Sequence, residues 1–312
     1  MDTLTGLLSG PRAQGAFLLR TVLDPPWSLR IEDEAALTIV ALSQGEAWFL
    51  RGVDPPVQLL PGDIAIVRGP EHYTIADLPD TPIQVVIHPD QRCTTVDGRD
   101  LYDEMHLGMR TWGNNPDGQT RMLTGTYNLD SEVSQRLLHT LPMVMHLRSD
   151  QWDTPLVPLL SHEMTKDQQG QDVILDRLLD LLLMSAIRAW FDLPESTPPQ
   201  WYTADGDPSI RNAIRLLQND PAYPWTVAKL AGETGMSRAS LARRFTELVG
   251  EPPMTFLTNW RLTLAADLLC EPGTTVTSVA PRVGYASPYA LSAAFKRVRG
   301  VSPKEHRLAR LG

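Results

Sequence analysis

The sequence predicts an α+β protein in which a β-rich amino-terminal part precedes an all-α carboxy-terminal part. Three features point to this class: short apolar runs between proline and glycine turns, a leucine-rich helical stretch after them, and one helical pattern that occurs twice in the last third. We therefore expect a β domain over residues 1–150, a helical segment over 151–193, a linker over 194–206 and a helical domain over 207–312.

The β-rich part contains four candidate strands. Residues 37–41 and 47–50 are short apolar runs joined by a turn at Gly45, and residues 64–67 and 83–87 are further runs bounded by proline and glycine. Short strands with frequent turns are typical of a β-sandwich or barrel, so we expect one of these architectures.

The helical segment is predicted to contain two helices, over residues 156–166 and 173–191, separated by Gly170. The second helix carries more apolar residues than one helix face requires, namely Ile174, Leu178, Leu179, Leu181, Leu182, Leu183 and Ile187. Such a helix is either buried inside its own domain or pairs with a second copy of the chain, and we expect a homodimer. The proline-rich residues that follow indicate a linker.

A short helix, a glycine turn and a second helix open the helical domain. Small and apolar residues over 227–231 predict the first helix, and Gly235 provides the left-handed turn that ends it. Ser237 is a suitable N-cap for the second helix, which Gly250 ends. The predicted buried face of the second helix contains Leu241, Phe245 and Val249. Its outer face contains Arg238, Ala239, Ala242, Arg243 and Glu247.

The same pattern occurs again about fifty residues later. Gly284 marks the turn, Ser287 caps the second helix with Pro288 at its first position, and Gly300 ends it. The predicted buried face contains Leu291, Phe295 and Val298. The predicted outer face contains Tyr289, Ser292, Ala293, Lys296 and Arg297.

Pro281 falls in the short helix before the second turn. Proline has no N–H and is tolerated in the first helical turn, where that donor has no partner in any case. We therefore expect this helix to begin near Ser278.

Charge is distributed unevenly along the chain. Residues 207–312 contain 14 Lys+Arg and 8 Asp+Glu, a net charge of +6, whereas residues 1–206 contain 14 and 29, a net charge of −15, for −9 overall. A basic helical domain can neutralise phosphates while the acidic part stays away from the nucleic-acid backbone. Two helix-turn-helix units in tandem within the basic part indicate a DNA-binding protein.

Several short motifs cover the helical domain: Pro224-Trp225-Thr226-Val227, Trp260-Arg261, Ala265-Ala266, Leu268-Leu269, Val283-Gly284-Tyr285-Ala286-Ser287, Phe295-Lys296-Arg297 and Gly300-Val301-Ser302-Pro303. With them, residues 207–307 resemble the AraC/XylS family of bacterial transcription regulators. The resemblance implies that the helices starting near Ser237 and Ser287 enter successive major-groove segments, held apart by a helix over 253–269. At about 1.5 Å per residue that helix is roughly 25 Å long, a suitable spacer for grooves about 34 Å apart.

The same resemblance assigns base-contacting positions. They are Ala239, Ala242 and Arg243 in the first reading helix and Pro288, Tyr289 and Ala293 in the second. Arg243 is the strong guanine reader among them. Because many relatives have arginine where Ala293 stands, the second helix either contacts thymine methyl groups or mainly holds phosphates through Lys296 and Arg297. The predicted DNA surface is completed by Ser237, Arg238, Arg244, Ser287 and Ser292.

The amino-terminal part has a resemblance of its own. Residues 60–72, with Gly62-Asp63, Arg68-Gly69 and His72, resemble the second half of a cupin motif, and residues 1 to about 190 resemble the cupin-type sensor half of one branch of AraC regulators. This implies a barrel with a pocket for a small-molecule effector. We expect His72 to face the interior among apolar walls that include Trp48 and Tyr73.

A cupin could also be an enzyme, so metal ligands matter. Metal cupins use a His-x-His pair and a Glu from the first motif together with a later His, but residues 37–52 contain no histidine. His162-Glu163 begins like a zinc-protease helix, yet Lys166 stands where the second histidine is needed. We therefore expect no metal, no cofactor and no catalysis.

Two cysteines exclude a disulfide framework. Cys270 is expected to be a packing residue. Cys93 follows His88 and Arg92, which could lower its pKa, so a redox-sensing regulator that uses Cys93 is one alternative.

The sequence shows neither a signal peptide nor an apolar run of about 18 residues, so we expect a soluble cytoplasmic protein. The interpretation is a sequence-specific transcription regulator with double-stranded promoter DNA, a small-molecule effector, a second copy of itself and RNA polymerase as partners, and no membrane. A cupin enzyme fused to a DNA-binding domain is one alternative. A regulator without a ligand, whose cupin half only dimerises, is another.

Overall fold

A computed structural model describes residues 17–127, 132, 135, 138–152, 154–166, 168–194, 196, 198–199, 202 and 206–311. The described residues within 11–129 and 138–196 form one compact unit. Those within 130–137 and 197–312 form the other. We call them the amino-terminal and carboxy-terminal units.

The amino-terminal unit is built on strands. In chain order they are β1 (Phe17–Leu23), β2 (Ser28–Ile31), β3 (Leu37–Gln44), β4 (Ala47–Leu50), β5 (Val57–Leu59), β6 (Ile64–Arg68), β7 (Tyr73–Ala76), β8 (Val85–Ile87), β9 (Cys93–Thr94), β10 (His106–Gly108), β11 (Thr111–Gly113), β12 (Thr120–Tyr127) and β13 (Val144–Leu147). A single-turn helix, α1 (Tyr102–Met105), precedes β10. All four predicted strands are present, with β3 longer than expected and β8 shorter.

These strands form two sheets. One has the order β10-β11-β1-β12-β3-β6-β13 and the other β5-β4-β7-β2-β8-β9. The predicted turn at Gly45 thus connects two strands of different sheets. Alternate side chains pack into one apolar core, which includes Trp27, Phe49, Tyr73, Trp112 and Met122. The prediction of a β-rich cupin-like architecture is confirmed.

Two helices belong to the same unit, α2 (Leu156–Met164) and α3 (Gln171–Asp192). The hydroxyl of Tyr127 on β12 donates to the carbonyl of Leu179 at 2.8 Å, which fixes α3 against the seven-stranded sheet. The buried face of α3 includes Leu175, Leu179 and Leu182. Its other face leaves apolar residues uncovered, since Ile174 and Leu181 are 47% and 48% exposed. One face of this helix is thus buried inside its own unit, and pairing with a second copy through the other face stays a prediction.

The carboxy-terminal unit is helical. Its helices are α4 (Pro208–Asn219), α5 (Val227–Thr234), α6 (Arg238–Val249), α7 (Pro253–Cys270), α8 (Val276–Arg282), α9 (Pro288–Arg299) and α10 (Pro303–Leu311). None of the helices within the described ranges is long and apolar enough to cross a membrane.

Two separate apolar cores lie inside this unit. One surrounds Leu230, Leu241 and Phe245 from α5 and α6, and the other surrounds Val279, Leu291 and Phe295 from α8 and α9. Helix α7 contributes to both: its first half provides Phe256 and Leu257 to the first core, and its second half provides Leu262, Ala265, Ala266 and Leu269 to the second. The predicted connecting helix is therefore a shared wall of the two helix-turn-helix units.

The expectation for Pro281 was wrong. Helix α8 begins at Val276, because Thr275 caps it and exchanges hydrogen bonds with Ser278 in a capping box. Pro281 is consequently in the second turn, where it removes the hydrogen bond to Thr277. Both Pro281 and Thr277 are exposed, so water can donate a hydrogen bond to the Thr277 carbonyl. The helix ends one residue after the proline.

Val298 was also placed incorrectly, since it is 46% exposed. The buried face of α9 consists of Leu291, Ala294 and Phe295. One turn further along, the inner position belongs to Arg299, whose guanidinium lies 5.7 Å from the ring centre of Phe295. The aliphatic part of the Arg299 side chain therefore covers the end of this core, where we had expected Val298.

Candidate DNA-binding surface and cavities

The first helix-turn-helix is fixed by its caps. The Thr226 hydroxyl accepts the N–H of Lys229 at the start of α5, and Gly235 ends that helix with φ 69°. The Ser237 hydroxyl then accepts the N–H of Ser240 at 3.1 Å and starts α6. Such a left-handed residue followed by an N-cap turns the chain sharply within three residues, which presents α6 to the outside.

The outward face of α6 carries the base-contacting residues predicted for the first reading helix. Arg238 and Ala239 are exposed, and Ala242 is half-buried. The Arg243 side chain is 66% exposed and donates to both carboxylate oxygens of Glu247, at 2.8 and 3.0 Å. Arg243 therefore lies on the surface with its guanidinium held by Glu247.

Arg244 has a different place. Its guanidinium pairs with the carboxylate of Asp207, which also accepts the N–H groups of Ser209 and Ile210 as the N-cap of α4. The predicted DNA contact thus holds the start of α4 against α6. Sequence spacing gave no sign of this role, because the two partners are 37 residues apart.

The second reading helix, α9, begins with the predicted geometry. The Ser287 hydroxyl accepts the N–H of Ala290 at 3.1 Å, and Pro288 occupies the first turn. Tyr289 is 83% exposed. Ala293, Lys296 and Arg297 are exposed beside it, and the half-buried Ser292 donates to the Pro288 carbonyl at 2.9 Å.

Arg261 on α7 connects the two helix-turn-helix units. Its Nε donates to the carbonyl of Pro221 at 2.6 Å and its Nη2 to the carbonyl of Tyr223 at 2.9 Å, in the loop before α5. The same guanidinium lies against Gly284 at the turn of the second unit, where a Cβ would approach Nη2 to 2.7 Å. With φ of 81°, Gly284 satisfies both the turn and this close approach.

Replacing Arg261 with methionine is expected to weaken binding to a two-part DNA site by roughly tenfold, while binding to either half alone changes little. Methionine keeps the aliphatic part of the side chain, but the carbonyls of Pro221 and Tyr223 lose their hydrogen-bond donors. We expect this loss to cost about 1–3 kcal/mol of stability at the contact. Affinity for whole and half sites, measured by fluorescence anisotropy, tests this. Arg215→Met, an exposed arginine on α4, is the matched control. Equal losses on whole and half sites would contradict a positioning role.

Described residues between the two sheets line a small cavity of about 60 Å³. Its walls include Leu29, Tyr73, Cys93, Trp112 and Met122. Its walls are mostly apolar, and it is far smaller than typical sites for drug-sized ligands. Tyr73 is in the wall as expected, and burial together with the nearby Asp33 raises its pKa.

His72 and Trp48 do not face this cavity, contrary to expectation. His72 precedes β7 and its side chain is 46% exposed, with Nδ1 3.8 Å from the carboxylate of Glu32. On β4, Ala47 and Phe49 are buried whereas Trp48 is only half-buried. Side chains alternate between the faces of a strand, so Tyr73 and Phe49 take the interior positions and their neighbours point away.

The expectation that the Cys93 pKa is lowered was wrong as well. Partial burial, together with the charges of Asp100 and Asp90, raises the pKa of this thiol to about 11. His88 instead bonds through Nε2 to the Thr94 hydroxyl at 2.9 Å. At neutral pH Cys93 is a protonated thiol, which is a poor nucleophile.

A larger opening, which we call the α2 cleft, lies in the amino-terminal unit and has a volume of about 590 Å³. Strands β1 and β12 of the seven-stranded sheet contribute Arg20, Arg121 and Leu123 to its lining. The opposite wall is one face of α2 and the loop before it, with Trp152 and His162. Sequence reasoning missed this cleft, because its residues come from five distant segments and share no motif. Over the part of the chain that is described, no three His, Cys, Asp or Glu side chains are grouped to hold a metal ion.

Comparison with known proteins matches both units. A cupin family model covers residues 2–192, and a helix-turn-helix domain model covers residues 230–309. The chain belongs to the AraC family of transcription regulators. It is a DNA-binding regulator with a helix-turn-helix carboxy-terminal unit and a cupin-like amino-terminal unit, as the sequence predicted.

Several AraC-type regulators are similar along their whole length. A putative AraC-like transcription regulator of Streptomyces lividans is 29% identical over 315 residues, covering 98% of each chain. The HTH-type transcriptional regulator AlkR of Acinetobacter baylyi is 26% identical over 317 residues, covering 98% of this chain and 99% of its own. Among solved structures, the DNA-binding domain of the global transcriptional factor AdpA in complex with a target DNA is 33% identical and has a TM-score of 0.31. That similarity covers 32% of this chain and 91% of the AdpA chain.

Proposed function

We propose that this AraC-type regulator binds a two-part promoter site as a homodimer and that a small molecule bound by the amino-terminal unit changes its affinity for DNA. The observation that carries the proposal is the pair of exposed reading helices, α6 and α9, fixed on one shared helix. This arrangement supports simultaneous contact with two major-groove segments. The proposal also includes contact with RNA polymerase and a location in the bacterial cytoplasm. It divides the chain into domains over residues 1–150, 151–193, 194–206 and 207–312.

The residues divide into three roles. Arg243, with Ala239 and Ala242 beside it, contacts bases from α6. In α9, Tyr289 and Ala293, with Pro288 ahead of them, make apolar base contacts. Phosphate contacts come from Arg238, Lys296, Arg297 and the capped helix starts at Ser237 and Ser287, with Ser292 at the edge.

The competing functions have less support. The raised pKa of the Cys93 thiol disfavours a redox sensor that uses this residue. The similar proteins are named as transcription regulators, which disfavours a cupin enzyme. A purely dimerising cupin unit is the remaining alternative to a sensor.

Selection of genomic fragments by the purified full-length protein tests DNA recognition. We expect enrichment of a motif with two conserved blocks about one helical turn apart, and neighbouring genes that suggest the signal. Specific binding should weaken steeply with salt because phosphate contacts release counterions. Enrichment of a single short block would contradict the two-helix mode.

The dimer is proposed to form through the uncovered face of α3. Ile174, Leu178 and Leu181 lie four and three residues apart, which places them on one side of the helix. Two of them are nearly half exposed, an unusual cost for apolar side chains in water.

Leu181→Glu is therefore expected to convert a dimer into a monomer at micromolar concentration, because it places two charges in an apolar interface. Sedimentation velocity measures the change. Leu78→Glu, at a loop residue that is 60% exposed, is the control and should remain dimeric. A wild-type monomer, or a dimeric Leu181→Glu protein, would refute the proposed interface.

A further inference from the structure

The α2 cleft combines positive charge with apolar walls. Arg20 and Arg121 are both half-buried, and the remaining wall includes Leu123, Val157 and Trp152. Among the described residues that line the cleft, basic side chains are present and acidic ones are not. A cleft of about 590 Å³ is in the size range of sites for small organic ligands.

Strand pairing places the two arginines side by side. Arg20 on β1 is opposite Leu123 on β12, and Val22 is opposite Arg121. Residues opposite each other, and residues two apart, share one face of a sheet, so both guanidinium groups emerge on the same face as Leu123. Such diagonal neighbours are about 7–8 Å apart, close enough for one anionic group to contact both.

Among the residues that the structure describes, none is a hydrogen-bond or ion-pair partner of these donors. Neither arginine forms an ion pair with any residue that the structure describes, and two buried donors at the cleft, Arg121 Nε and Trp152 Nε1, lack a hydrogen-bond acceptor. Nearly all buried donors in proteins are satisfied, and partly buried like charges repel each other. A negatively charged acceptor in the cleft would satisfy the free N–H groups and neutralise the pair.

We propose that the α2 cleft binds a small organic carboxylate with an apolar body. The carboxylate accepts hydrogen bonds from Arg20, Arg121 and the Trp152 N–H, because the planar guanidinium matches a carboxylate. The apolar body contacts Leu123, Val157 and the Trp152 ring. This site is separate from the interior of the β-rich core, whose cavity of about 60 Å³ is much smaller.

Calorimetric titration of the full-length protein tests the site with two probes, indole-3-acetate and octanoate, each against its neutral amide. We expect at least one acid to bind with Kd of about 1 mM or tighter and its amide to bind at least tenfold more weakly. Inorganic phosphate should not compete at equal concentration. Equal binding of acid and amide, competition by phosphate, or no binding of either acid would overturn the proposal.

Variants locate the site. Arg121→Met and Arg20→Met should each weaken binding of the acid at least tenfold, and Trp152→Phe, which removes the N–H together with the five-membered ring that carries it, should weaken it severalfold. Arg92→Met is the matched control, since that arginine is 56% exposed and pairs with Asp90 away from the cleft. Unchanged affinity in Arg121→Met and Arg20→Met, with melting curves like wild type, would remove the cleft from consideration.

The link to DNA rests on the proposed sensor function and is measured separately. Binding of the acid that also shifts promoter affinity supports both ideas. If the acid binds with no shift in promoter affinity, the cleft is a ligand site and the sensor function fails. If DNA binding is intact but no acid binds, the cleft assignment fails and the DNA-binding function stands.

Discussion

Replacing Phe245 with alanine is expected to destabilise the carboxy-terminal unit by about 3–5 kcal/mol. The side chain is fully buried, and its ring meets that of Phe256 edge to face at a centroid distance of 5.7 Å. Truncation leaves a cavity between α6 and α7 that this small core cannot close. Thermal unfolding of the full-length protein measures the loss, which should appear in the transition of the carboxy-terminal unit.

Tyr289→Ala provides the aromatic control for this prediction. Its ring is 83% exposed, so stability should stay within about 0.5 kcal/mol of wild type while DNA affinity falls. If the free energy of unfolding of the Phe245→Ala protein falls by less than about 1 kcal/mol, this ring does not anchor α6.

The second large effect concerns DNA specificity. Arg243→Ala is expected to cost about 1–3 kcal/mol on the specific site and to relax the preference at one base pair, because a bidentate contact to guanine is lost. Lys296→Ala should instead weaken all sequences alike and lower the salt slope by about one. Titrations on specific and random DNA at several salt concentrations separate the two patterns.

Glu247→Gln completes this comparison. It removes the carboxylate that now holds Arg243 and also repels phosphate, so it should bind DNA at least as tightly as wild type. Equal losses on specific and random DNA in Arg243→Ala would show that this arginine contacts the backbone and reads no base.

Local sequence rules predicted most of the carboxy-terminal unit. Capping serines, left-handed glycines and apolar spacing fix α6 and α9 with short-range interactions, and these are the features that a sequence displays. The errors occurred where tertiary packing decides. Val298 has the right spacing for the core, yet the core ends one turn earlier and Arg299 covers it.

The β-rich unit was harder to predict in detail. His72 and Tyr73 are adjacent, and a shift of one residue in a strand exchanges the inside for the outside. The motif therefore located the strand but assigned the wrong side chain to the interior. For Cys93, the basic neighbours His88 and Arg92 suggested a lowered pKa, whereas partial burial and the carboxylates of Asp100 and Asp90 raise it.

The α2 cleft lies beyond the reach of sequence reasoning for a related reason. Arg20 and Arg121 become neighbours only through the pairing of β1 with β12, about a hundred residues apart in the chain. Trp152 and α2 complete the site from a third segment. Long-range strand pairing has no local signature, so a site assembled by it leaves no motif.

Helix α7 supplies buried side chains to both cores, so neither core can open without exposing part of the other's wall. The two helix-turn-helix units should accordingly unfold as one cooperative block, with amides of α6 and α9 exchanging at the same opening free energy. Limited proteolysis should leave α6 and α9 both intact or cleave both of them. Unfolding of one reading helix would thus remove the other as well, and a half-folded form that occupies one half of an operator would not accumulate.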